Sequence, residues 1–323
     1  MRASVPGRPR LHRVSVLIIA LFIGFFPAAE AFCRYALPRL IEIEGRREQE
    51  FRAAVAPVEA RPNVQRILVL GNSLLAQGVD FPGAQAEAGD GVELQRLVVE
   101  GTAYFDWLYG IKRLLADGAR PNLIVLLLSP DQLAGNGIRG EYTAYRMMRS
   151  VDVAEASRRL GLNNTQAADL VLSNQSAYLG MRGNIRKRIM LAVNPGLREL
   201  MPLINSREPP HLDAQSMTQT ARKRLAELSA AANAYGVRFA LVVPPTNDAD
   251  APAAAAAIEA AGREQNVAVL LPVRPGLFSA DYYIDGFHLN GKGARIFTAK
   301  LAESLKTPLA RLAEHEEAEL PLQ

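Results

Sequence analysis

Ser73 closes the stretch Arg66-Ile-Leu-Val-Leu-Gly-Asn-Ser73, and near the other end of the chain stands Asp285-Gly-Phe-His-Leu-Asn290. A serine hydroxyl becomes a nucleophile when a base removes its proton, and that base works best when an acid fixes its tautomer. Ser73, His288 and Asp285 supply one group of each kind, and all three fall at the ends of expected elements. The chain has four histidines. His12 precedes an apolar N-terminal run, His211 follows Pro209-Pro210 in a polar segment, and His315 lies in an acidic tail. Only His288 sits at a loop-to-helix junction beside an acid. An aspartate three residues upstream can curl back to accept from the imidazole. The bland alternatives are a helix cap at Ser73 with a turn residue at Asn72, and an Asp-Gly turn followed by a surface histidine.

The elements that must position these groups follow from the pattern. Ile67–Leu70 is too short and too β-branched for a helix and stops at Gly71, so it reads as a buried strand. A helix beginning at Leu74 places Ser73 at its N-terminus, where free backbone N–H groups favour developing negative charge. Further strands are expected at 94–99, 122–128, 237–243 and 267–271. Helices are expected at 106–116, 218–235, 251–265 and 292–305. Strands alternating with helices predict an α/β three-layer sandwich with a mainly parallel sheet. Ligands of such sheets gather at the strand carboxyl ends, where Ser73 and Gly101 fall.

Strand–Gly-Asn-Ser near the start and Asp-x-x-His-Leu near the end resemble the first and last sequence blocks of the SGNH (GDSL-type) hydrolase superfamily. The resemblance covers about residues 64–305, with sharp motifs at its two ends. It implies Ser73 as nucleophile, His288 as general base and then acid, and Asp285 as its orienter. Asn72 stands where the family commonly has aspartate. The family's second block implies an oxyanion donor at Gly101, in Val98-Val-Glu-Gly-Thr-Ala-Tyr104, acting with the N–H of Ser73. The third block departs from the pattern. The strand Asn122–Leu128 runs into Ser129-Pro-Asp-Gln-Leu-Ala-Gly-Asn136 instead of Gly-x-Asn-Asp, leaving Ser129, Gln132 or Asn136 as the candidate third donor. Asn72, Thr246 and Asn247 are candidate substrate contacts, the last two following Pro244-Pro245, which equally form a rigid strand exit.

Residues 135–215 interrupt the alternation and read as a helical insertion. They carry Tyr142, Tyr145, Met147, Met148, Tyr178, Arg182, Arg186, Lys187 and Arg188. Either these line a groove for a glycan or anionic acceptor, or they form a packed insertion with a solvated basic face. Asn163-Asn-Thr165 and Asn174-Gln-Ser176 match the glycosylation acceptor pattern.

At the N-terminus a basic tail, residues 1–13, precedes an apolar run at 14–35. This order directs the domain out of the cytoplasm. Ala29-Glu-Ala31 resembles a signal-peptidase site, while Phe32 and Tyr35 suit the interface of an uncleaved span. Residues 36–63 read as a charged helical stalk, 64–310 as the domain and 311–323 as an acidic tail. Basic and acidic residues number 37 and 33, and no basic stripe with interleaved aromatics appears, so nucleic-acid binding has no support. Cys33 is the sole cysteine, which excludes an intramolecular disulfide. No histidine, cysteine or carboxylate set has metal-ligand spacing, and no cofactor is expected.

Two functions fit. The first is an exported serine esterase or O-acyltransferase acting on an acylated cell-envelope or extracellular polysaccharide through an acyl-Ser73 intermediate. It is expected in a bacterial inner membrane with the domain facing the periplasm, or secreted after cleavage. The anchor and divergent third block resemble the membrane-linked SGNH proteins of surface-polysaccharide acylation. The second is a catalytically degenerate SGNH module serving as glycan-binding or assembly partner of a membrane acyltransferase.

Overall fold

A computed structural model describes residues 9–57, 64–197 and 213–319. Residues 1–8 of the basic tail, the stalk end at 58–63, positions 198–212 of the insertion with His211, and 320–323 of the acidic tail lie outside the described residues.

Five parallel strands form one sheet: β1 (Gln65–Gly71), β2 (Val92–Val98), β3 (Leu123–Leu127), β4 (Arg238–Val242) and β5 (Ala268–Leu270). Their order is β2-β1-β3-β4-β5, with Ile67 opposite both Leu94 and Leu123. The chain passes from β1 to one neighbour and then crosses back to the other, so the crevice between β1 and β3 is the topological switch point. The expected α/β three-layer arrangement is the one found.

Side chains alternate across the strands and build a core on each face. Leu68, Leu70, Leu126 and Leu241 face one core, whereas Ile67, Val69, Val125 and Val242 face the other. The first layer of helices includes α3 (Glu42–Val55), α6 (Tyr104–Ala116), α12 (Ala214–Asn233) and α13 (Ala251–Glu264). The second includes α4 (Ser73–Gly78), α5 (Phe81–Ala88) and α14 (Gly291–Glu319).

After α7 (Pro130–Ala134), the expected insertion contains α8 (Glu141–Met147), α9 (Val153–Arg159), α10 (Asn164–Gln175) and α11 (Ala177–Val193). Its side chains correct the groove reading. Tyr142, Met147 and Met148 are buried against α6 and its neighbours, and Arg182 pairs with Glu141 and Asp169. Arg186, Lys187 and Arg188 are exposed on the outer half of α11. Asn174 is no open glycan acceptor, because its amide donates to the carbonyls of Ala144 at 2.7 Å and Met148 at 3.0 Å.

The N-terminal helix α1 (Pro9–Ala31) passes through a π-helical turn, Phe32–Ala36, into the short α2 (Leu37–Leu40). Within it and its continuation, Val14–Leu40 is long and apolar enough to cross a membrane, its most apolar 18-residue window having a mean hydropathy of 2.3. Its apolar side chains are mostly uncovered by the rest of the chain, unlike those of a soluble core helix.

The free stalk is a misreading. Helix α3 lies on β2 and α6, with Ala54 buried and Phe51 packed on the core. Its charges have partners on the domain: Arg47 meets Glu44 at 2.8 Å and Glu100 at 3.0 Å, and Glu50 accepts from Arg96 and from the backbone N–H of Val98. A charge-rich helix reads as solvated when its partners are distant in sequence.

Candidate active site

Gly71 ends β1 because nothing larger fits: a Cβ there would lie 2.8 Å from Cβ of Leu75 and 3.4 Å from the carbonyl oxygen of Leu127. The chain turns at Asn72 and enters α4 with Ser73 as its first residue. Helix geometry leaves the first N–H groups without intrahelical acceptors, so the Ser73 N–H is available to an oxyanion beside its own side chain.

Asn72 is fully buried. Its Oδ1 accepts from the N–H of Leu74 at 3.0 Å, while Nδ2 donates to the carbonyl of Thr102 at 2.9 Å. This corrects its reading as a substrate contact: Asn72 ties the serine turn to the loop that follows β2. In that loop Gly101 has φ of +74°, a left-handed conformation suited to glycine. Thr102 closes the turn by donating to Val99 at 2.6 Å.

The Asp285–Asn290 loop is held from both sides. Ile284 N–H donates to the His288 carbonyl at 2.8 Å, Asn290 N–H donates to Tyr282 at 2.9 Å, and Tyr283 bridges Leu289. The side chain of Asn290 then accepts from the N–H groups of Lys292 and Gly293, which starts α14 immediately after the histidine. In this frame Oδ1 of Asp285 accepts from the N–H groups of Phe287 at 3.0 Å and His288 at 2.7 Å. Its Oδ2 lies 2.8 Å from Nδ1 of His288, and Nε2 of His288 lies 2.9 Å from Oγ of Ser73. Partial burial pushes the Asp285 carboxyl up, but the backbone N–H and imidazole of His288 and the N–H of Phe287 hold it below the usual carboxylate range. An ionised Asp285 assigns the proton to Nδ1 and leaves Nε2 as acceptor for the serine proton.

The remaining candidates do not converge on Ser73 as directly. The hydroxyl of Ser129 is buried and donates to Asp131, and its N–H is capped by Gln132 Oε1 at 3.1 Å. Asn136 is engaged by Arg224, which also donates to the Leu133 and Gly135 carbonyls. Both side chains therefore secure the loop after β3. Thr246 is buried, which removes it from substrate contact, while Asn247 is exposed and donates its N–H to the Gly286 carbonyl at 3.1 Å.

A residue that sequence reasoning passed over organises the far wall. Asp106 is fully buried; it accepts from the N–H of Ala103 at 2.8 Å, from the N–H of Arg139 at 2.8 Å and from the Thr143 hydroxyl. It thereby joins the Gly101 loop to the start of the insertion. Burial raises its pKa to about 6 against the pull of those donors. The signal was available in Ala103-x-x-Asp106, an acid at the third position of a helix.

No family model matches the chain, and no curated protein does. Among solved structures, it is similar to TesA, with a TM-score of 0.36 and 14% identity over 75% of this chain and 99% of that one. A member of the lipolytic protein G-D-S-L family from Veillonella parvula DSM 2008 gives 0.38 and 13%, covering 75% and 99%. The lipase Lip_vut3 from a goat rumen metagenome gives 0.34 and 10%, covering 75% and 97%. At TM-scores this low the likenesses carry no weight for the chemistry, which rests on the distances among Ser73, His288 and Asp285.

Proposed function

We propose that this chain is a membrane-anchored serine esterase or O-acyltransferase of SGNH type. The carrying observation is the continuous relay Asp285–His288–Ser73, with both contacts at hydrogen-bond distance. Ser73 Oγ attacks an ester carbonyl as His288 Nε2 takes its proton, and Asp285 stabilises the resulting imidazolium. The N–H groups of Ser73 and Gly101 receive the oxyanion. Collapse breaks the ester bond, and His288 returns the proton to the departing alcohol, leaving an acyl-Ser73. Water or a sugar hydroxyl, deprotonated in turn by His288, then takes the acyl group. Hydrolysis and transfer differ only in this last acceptor.

The apolar helix supports retention at a bacterial inner membrane, with the domain facing the periplasm. Anchoring supports an acylated envelope polysaccharide as substrate and a membrane acyltransferase as partner, because both lie within reach of a tethered site.

Labelling of the purified full chain with a fluorophosphonate probe tests the reading. Wild type is expected to label, and Ser73→Ala and His288→Ala to lose the label while remaining folded. A folded wild type that neither labels nor cleaves a small ester would overturn the catalytic reading and favour the binding module.

A further inference from the structure

The geometry points to a second contact with the membrane: we propose that the edge of the insertion formed by Val151, Val171, Leu172 and Tyr178 is seated in the lipid interface beside α1. The domain would then rest on the bilayer in one fixed pose. This inference rests on the reading of α1 as a retained span.

Glu30, near the end of α1, accepts from the N–H groups of Ala177 at 2.9 Å and Tyr178 at 3.0 Å, and from the Ser176 hydroxyl at 2.7 Å. Arg34 donates to Glu30 at 2.6 Å and reaches the Gln175 carbonyl at 3.4 Å. The rings of Phe25 and Phe26 meet Tyr178 edge-on at 5.7 and 6.1 Å. The first turn of α11 is thus clamped to the exit end of α1. Farther along α11, Asn184 donates to Glu44 at 3.4 Å, so α11 runs in the same sense as the chain from α1 to α3. Helix α10 joins α11 through Ser176 and packs against it, which returns the last turns of α10 to the level of Glu30.

Three apolar side chains from two segments collect at that level. Leu170 and Ser173 face inward on α10, leaving Val171 and Leu172 on its outer side, both at least half exposed. Ser150 donates to Asn174 at 2.7 Å and accepts from Gln175 at 2.9 Å, bringing in Val151, which is 77% exposed. At about 1.5 Å per residue, Val14 to Glu30 covers roughly 24 Å of a hydrocarbon core about 30 Å thick. Side chains beside Glu30 therefore lie at the outer core and interface, where uncovered valine and leucine are favourable. Phe32 and Tyr35, both exposed on the continuing helix, suit the same zone. A carboxylate there is costly unless paired, and the donors around Glu30 supply that pairing. Cleavage after Ala31 would remove this carboxylate and strip the cap from α11.

The test uses the full chain with Cys33→Ala, reconstituted in vesicles of phosphatidylethanolamine and phosphatidylglycerol. Single cysteines at Ile19, Val151 and Leu172 carry an environment-sensitive dye, read against spin-labelled lipid and aqueous iodide. Leu172 and, independently, Val151 are expected to show at least half the lipid quenching of Ile19 and little iodide quenching. Strong iodide quenching at both, with Ile19 quenched by lipid, would overturn the seat while leaving the span intact. An Ile19 label open to iodide would overturn the span and the seat together.

Discussion

Asn72 and Ser73 are adjacent yet do different work, and their surroundings decide which. Ser73 presents its hydroxyl to His288, whereas Asn72 spends its whole amide on Leu74 and Thr102. Replacing Asn72 with alanine leaves the buried Thr102 carbonyl without that donor and frees the serine turn from the Gly101 loop. Loss of a buried partner costs about 1–3 kcal/mol of stability. Because the two oxyanion donors proposed above, the N–H groups of Ser73 and Gly101, sit on the two loops that Asn72 joins, Asn72→Ala is expected to lower kcat by about 10-fold or more, since small misplacements are costly. A substrate contact would instead raise KM at unchanged kcat and leave the urea midpoint in place. Steady-state kinetics with a small ester, alongside urea denaturation, separates the two.

At the scale of elements, the strands and the triad were legible because each is written locally. Apolar runs ending at Gly71 or Pro244 mark strand exits, and Asp285 and His288 lie within one loop. What was missed depends on partners far away in sequence. Helix α6 begins at Tyr104, two residues before the expected start, because Asp106 accepts the Ala103 N–H from inside the helix. Its second role, on Arg139 and Thr143, is visible only once the insertion is folded back. Asp106 also gives the fold a pH dependence. Its carboxyl is raised to about 6 when folded, against about 3.9 for an unperturbed aspartate. A raised folded value means that the group's contribution is complete below the unfolded pKa and is lost as pH rises through the folded one. Between pH 4 and 7 that difference amounts to about 2 kcal/mol. The stability of wild type relative to Asp106→Asn is therefore expected to improve as pH falls across this window. Parallel urea titrations at several pH values check it, and a constant difference would sink the assignment.

At the scale of the whole molecule, the placement of α3 decides whether the domain is tethered or braced. A tether tolerates loss of its charges, since exposed ion pairs contribute little. Arg47 is different: it is 5% exposed and joins Glu44, which is 3% exposed, to Glu100 at the lip of the Gly101 loop. Burial pushes Glu100 up, and Arg47 with Arg46 more than offsets this, holding its carboxyl below the ordinary range. Removing the guanidinium leaves the buried Glu44 carboxylate without its cation, while Glu100, partly exposed, keeps Arg46. Breaking a buried pair in this way costs about 3–5 kcal/mol. Arg47→Ala is therefore expected to lower the urea midpoint substantially, whereas a change in a free stalk would fall within about 0.5 kcal/mol. Arg52→Ala supplies the internal comparison, because Arg52 is mostly exposed on the same helix and pairs only with Glu48 among the described contacts. Equal, small effects at both positions would return residues 42–55 to the role of a tether. A large effect at Arg47 alone makes α3 an integral part of the domain, tied through Glu100 to the start of the Gly101 loop.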